Sequence, residues 1–127
     1  PPGYVITPSN LQPKRAVADD DEYRRNYTVA EYINALFALE NNWVGQGVLV
    51  GVMDNGVHAI GDLEGKVSTQ LSRDFGYIET NGVRTSRTGL ASIGDASSNH
   101  GTPVAAIIAA RDDGQNVQGL APGATIV

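Results

Sequence analysis

The chain has 127 residues, 41% of them hydrophobic, with nine Lys plus Arg against fourteen Asp plus Glu and a net charge of −5. That is the length of about one domain and the balance of a soluble globular protein, which excludes disorder throughout and a collagen-like repeat. The acidic balance offers no basic face to phosphate backbones or anionic lipid, so nucleic acid is not an expected partner. The longest apolar runs, Val48–Met53 and Val104–Ala110, fall far short of the roughly 20 residues of a spanning helix, and no transmembrane segment is expected.

Cysteine is absent, which removes a disulfide framework, a thiolate zinc site and a cysteine nucleophile while leaving the compartment open. The chain begins Pro1-Pro2-Gly3 without Met or a signal-peptide pattern, the look of a mature or trimmed piece. Prolines at 1, 2, 8 and 13 and the run Asp19-Asp20-Asp21 predict an extended, solvated arm over residues 1–27, because proline denies helix and ladder hydrogen bonds and like charges repel.

Thr28-Val29-Ala30-Glu31 has the form of a capping box, and the steps Val29, Ile33, Leu36, Phe37 predict one amphipathic helix closed by Asn41-Asn42, Gly45 and Gly47. Val48–Met53 is apolar at every position, the pattern of a strand covered on both faces, and argues for a parallel α/β sheet. Its rival is a hairpin turning at Asn55-Gly56. Between Gly61 and Asn99 Gly, Ser, Thr and Asn accumulate, predicting loops and short edge strands, with a surface hairpin of Tyr77–Thr80 and Val83–Thr85 around Asn81-Gly82. Thr102–Ala110 predicts a second helix, its Pro103 tolerable only in a first turn and its alanines allowing close packing on a sheet. Gly119–Gly123 is a turn into a further apolar strand, Ala124–Val127.

Asp54 falls at the carboxyl end of the buried strand, where open α/β sheets place their reacting groups. An unpaired buried charge costs several kcal/mol, so Asp54 should face solvent or hold a donor such as an imidazole N–H. His100, immediately before Gly101-Thr102 and the second helix, is the natural candidate. Taken alone, the pair also suits a structural role, or a metal or phosphate site. The last is disfavoured because Gly45-Gln46-Gly47 precedes its strand, whereas a phosphate loop follows one.

The surrounding segments are more specific. Val50-Gly51-Val52-Met53-Asp54-Asn55-Gly56-Val57 resembles the Asp segment of the subtilisin-like serine proteases, and His100-Gly101-Thr102-Pro103-Val104-Ala105 resembles their His segment. Val117–Ala124 and the stretch from Ile33 to Val48 resemble the flanking elements, so the resemblance covers residues 28–127. Glu22-Tyr23-Arg24 further resembles the autotransporter branch of Gram-negative bacteria. The resemblance implies the N-terminal part of a parallel-sheet, subtilisin-like peptidase domain, secreted or at a bacterial cell surface. It implies Asp54 as triad acid and His100 as general base, with a carboxylate oxygen about 2.6–3.2 Å from His100 Nδ1. Asn55 departs from the usual Ser or Thr, Ala106 from a common Gly, and Ile60-Gly61 from His-Pro.

Ser68, Ser72, Ser86, Ser92, Ser97 and Ser98 lack the family's Gly-Thr-Ser-x-Ala context, so the chain reads as a protease fragment holding acid and base but no nucleophile, inactive alone. Its expected partners are a protein or peptide substrate and the remainder of the protease domain. The alternative is a non-catalytic pseudoprotease or protein-binding domain. The chemistry requires no cofactor. The resemblance does place Asp62 and Asp113, with carbonyls near Gln115 and Val117, where relatives hold a structural calcium, and hard oxygen ligands suit that ion. The other reading of these aspartates is a solvated loop. His58 reads as a solvated loop residue.

Overall fold

Asn34 and Asn42 divide the first half of the chain. In the computed structural model, which describes residues 27–86 and 100–127, α1 is Tyr27–Tyr32 and α2 is Leu36–Glu40, where the sequence predicts one continuous helix. Each ends in the same way. Asn34 has φ 59° and Asn42 φ 60°, the left-handed conformation that asparagine tolerates better than other residues with a β-carbon. Ala35 N–H then donates to the Ala30 carbonyl at 2.8 Å and Asn34 N–H to Glu31 at 2.9 Å. Trp43 and Asn42 repeat the pattern on Ala38 and Leu39, at 2.8 and 2.9 Å. These are paired Schellman closures, which satisfy the last carbonyls of each helix.

The break redistributes the predicted stripe. Leu36 packs with buried Ala30 and Leu39 against Val44 and Leu120, but Ile33 and Phe37 are 58% and 54% exposed. Phe37 meets Trp43 edge to face at 5.5 Å. The expected arm up to residue 26, with its acidic run and Glu22-Tyr23-Arg24, lies outside the described residues, as does the Thr28 side chain of the capping box.

The parallel sheet is present and the Asn55-Gly56 hairpin is not. β1, Leu49–Val50, pairs in parallel with β4, Thr125–Ile126, in the register Leu49↔Thr125 and Val50↔Ile126. Val67 joins the other edge of β4 by a parallel bridge to Ile126. Between β1 and β4 the chain passes through a 3-10 turn, Gly61–Leu63, and an exposed hairpin, β2 Tyr77–Thr80 and β3 Val83–Ser86. Asn81 and Gly82, at φ 53° and 75°, form the predicted two-residue turn with both φ positive. Across it Arg84 pairs with Glu79 at 3.1 Å and lies 4.5 Å over the Tyr77 ring.

α3, Gly101–Ala109, packs on one face of this sheet. Ala105, Ala109, Ala124 and Ile126 are buried with Val57 and Leu63, and Val50 and Val52 complete the contact. Alanine on the helix permits close approach, and glycine permits it at the helix end: a β-carbon on Gly119 would sit 2.6 Å from the amide nitrogens of Ala109 and Ala110. The opposite face of β1 differs from the two-faced cover predicted. Val50 and Val52 turn to the core, whereas Leu49 is 56% and Met53 fully exposed. Strand alternation sends these two outward.

Candidate active site

Main-chain pairing carries the strand to Val52, two residues before Asp54. Val52 N–H donates to the Val127 carbonyl at 2.8 Å, extending the parallel ladder past β1, and Gly56 at φ 107° then turns the chain away. Asp54 is left at the strand's carboxyl end with its side chain 15% exposed. One carboxylate oxygen, Oδ1, accepts the Asn55 N–H at 2.7 Å. The other, Oδ2, lies 2.7 Å from His100 Nδ1, inside the range expected from the sequence. A carboxylate only accepts hydrogen bonds, so in the neutral ring Nδ1 carries the proton and Nε2 keeps a free lone pair. The His100 side chain is 73% exposed, which leaves Nε2 open to a reacting group.

The bond from the Asn55 amide holds the Asp54 carboxyl below the ordinary 3.8, and His100 adds to that through its hydrogen bond and charge, against the opposing effect of burial. Hydrogen bonds that favour the charged form lower a carboxyl pKa. Asp54 is therefore a carboxylate at neutral pH.

His100 is the N-cap of α3 but makes no side-chain cap hydrogen bond. Its ring is committed to Asp54, and the helix start is satisfied from the strand loop instead. Gly101 N–H donates to Asn55 Oδ1 at 3.0 Å, and His58 N–H donates to Thr102 Oγ1 at 2.8 Å. Gly101 is buried, and a β-carbon there would stand 2.2 Å from the Gly56 carbonyl oxygen and 3.1 Å from Asp54 Cβ. His58 is thus half-buried and tied by its main chain, where the sequence predicted a solvated loop residue. Sequence reasoning missed the parts played by Asn55 and Thr102, because hydrogen bonds across 46 and 44 positions leave no local signal.

The second pair of aspartates is held differently. Asp62 does face the loop after α3, but its oxygens accept N–H groups, from Asn116 Nδ2 at 3.2 Å and from the Val117 amide at 3.4 Å. Asp113 accepts the Gln115 amide at 3.2 Å and pairs with Arg111 at 3.7 Å. Arg111, unremarked in the sequence, also donates to the Gly61 carbonyl at 2.9 Å and so fastens the end of α3 to the 3-10 turn. The carboxylate oxygens of Asp62 and Asp113 keep further lone pairs beside the N–H groups they accept, and hard oxygens of this kind are the ligands calcium takes.

Among the described serines, Ser72 donates its hydroxyl to the Ser68 carbonyl at 2.7 Å, a local turn contact. Ser92, Ser97 and Ser98 lie outside the described residues. An apolar groove of about 860 Å³ runs beside Asp54, bounded by Met53, Val67, Leu71, Phe75 and Ile126. No helix among the described residues is long and apolar enough to cross a membrane.

Residues 45–127 match the model of the subtilase family, Peptidase_S8, a span that contains Asp54, His100 and every hydrogen bond between their segments. The chain is also similar to a curated extracellular serine protease of Serratia marcescens, with 34% identity over 109 residues. That alignment covers 84% of this chain and 9% of the relative, so the chain spans under a tenth of the relative's length.

Proposed function

The chain belongs to the subtilase family, and from that premise we propose that it carries the acid and the base of a serine endopeptidase active site whose nucleophile lies elsewhere in the parent protein. The observation that carries the reading is the 2.7 Å contact of Asp54 Oδ2 with His100 Nδ1, with the second Asp54 oxygen held by the Asn55 amide.

In the proposed reaction His100 Nε2 takes the proton from a serine hydroxyl as its oxygen attacks the scissile carbonyl carbon. The same nitrogen then gives that proton to the leaving amine, and water repeats the sequence to release the acyl group. Asp54 fixes the ring so that Nε2 faces the nucleophile, and its negative charge offsets the positive charge the ring gains during transfer. This chemistry needs no cofactor. Asp62 and Asp113 are the residues that would hold a structural calcium through their carboxylate oxygens. Substrates are proteins or peptides, and the extracellular name of the Serratia relative supports a secreted parent.

The test is a serine-directed phosphonate probe applied to the parent protein. Labelling that depends on both Asp54 and His100 supports the reading. A parent that is neither labelled nor active, with no Gly-Thr-Ser-x-Ala segment in its gene, would instead make this a non-catalytic binding domain.

A further inference from the structure

The helix that carries His100 begins without a cap of its own. N-cap residues ordinarily turn a side-chain oxygen onto the first free amides of the helix, and His100 has none to offer, since its ring is turned to Asp54. Yet the Gly101 amide is satisfied, at 3.0 Å, by Asn55 Oδ1. The same residue donates its main-chain N–H to Asp54 Oδ1 at 2.7 Å. One residue therefore touches Asp54 and Gly101, the residue after His100, gripping the carboxylate through its backbone and the helix start through its side chain.

We infer that Asn55 is a positioning residue, which caps α3 from across the fold and so sets the His100 ring against Asp54. The inference rests on the proposed acid and base roles of those two residues. Geometry assigns the amide orientation, because an N–H donor must meet the oxygen and not the nitrogen of the side chain. It also explains the residue type. A Ser or Thr oxygen lies one bond nearer the main chain than the Asn oxygen, so only the longer side chain spans the gap to Gly101 as the segments stand. The absence of a β-carbon at Gly101, which would stand 2.2 Å from the Gly56 carbonyl oxygen, is what lets the two segments lie this close.

The experiment compares Asn55→Leu and Asn55→Asp in the full-length parent protein, with His100→Ala alongside. Leucine keeps the shape and removes the acceptor. Aspartate keeps an oxygen in the same place, and every variant keeps the main-chain N–H to Asp54. We expect Asn55→Leu to lower kcat about 10- to 100-fold with KM within about twofold, as a small misplacement of a catalytic group does, and Asn55→Asp to recover most of the loss. An unchanged kcat in Asn55→Leu overturns the inference. So does a loss that follows the fraction of folded protein, measured by thermal melting, or one that aspartate fails to rescue. His100→Ala separates the two claims: if it retains activity, the active-site reading falls and takes this inference with it. If it is inactive while Asn55→Leu matches wild type, the inference alone falls.

Discussion

Gly101 stands so close to Gly56 that a β-carbon on it would lie 2.2 Å from the Gly56 carbonyl oxygen. The obstacle is main chain and cannot rotate away, so any side chain at 101 must push α3 off the Asp54 loop. Gly101→Ala is therefore expected to destabilise the fold by about 1–3 kcal/mol, the usual cost of overpacking. In the parent protein it should also slow phosphonate labelling by more than the loss of folded protein explains. Urea denaturation and labelling rates on the same samples check both. A variant as stable and as reactive as wild type would mean that the two segments are not in this contact.

Gly119 makes the corresponding contact at the other end of the helix, where a β-carbon would meet the amide nitrogens of Ala109 and Ala110 at 2.6 Å. Gly119→Ala should destabilise to a similar degree, about 1–3 kcal/mol, but by lifting the turn before β4, far in sequence from Asp54 and His100. Its labelling rate per folded molecule should stay near wild type, which distinguishes a packing loss from a site loss.

What the sequence disclosed and what it hid divide along physical lines. The hairpin at Asn81-Gly82 and the helix beginning beside Gly101 were legible because turn chemistry and helix starts are local. Asn34 was not read as a break, because a single asparagine is compatible with a helix interior, and only its left-handed φ of 59° ends α1. In Val48–Met53 uniform apolarity suggested cover on both faces, yet Leu49 and Met53 are exposed, since a sequence pattern cannot say whether the covering element belongs to the same chain. The Asp54–His100 pairing was suggested by two short segments and their family resemblance. The Asn55 bond to Gly101 could not be, because it joins residues with no sequence relationship.

Asp54 has its carboxyl lowered beneath the ordinary 3.8, first by the Asn55 amide and then by His100. A depressed folded-state value makes the carboxylate's contribution to stability complete above the unfolded value and lost as the pH falls through the folded one. The stability difference between wild type and Asp54→Asn should thus shrink as the pH falls below about 4. Carboxyl carbon NMR should place the Asp54 midpoint below 3.8. A midpoint above it would contradict the hydrogen-bonding assigned to both oxygens.

Met53 is fully exposed, Phe75 88% and Leu49 56%, around and behind the groove beside Asp54. Exposed apolar patches and strand edges favour association. The isolated chain should accordingly scatter light as a species larger than a monomer, and Met53→Lys with Phe75→Lys should reduce its size. A cooperative, well-folded monomer of the unmodified chain would show that the chain closes its own core.

The most direct measurement is phosphonate labelling of three samples: the parent protein, the parent with His100→Ala, and the isolated 127-residue chain. The account predicts that the parent labels at a serine outside this chain, that the histidine variant loses that labelling by about 10³-fold or more, and that the isolated chain does not label. Labelling that survives His100→Ala, or that appears on any serine of the isolated chain, would contradict the assignment of Asp54 and His100 as acid and base.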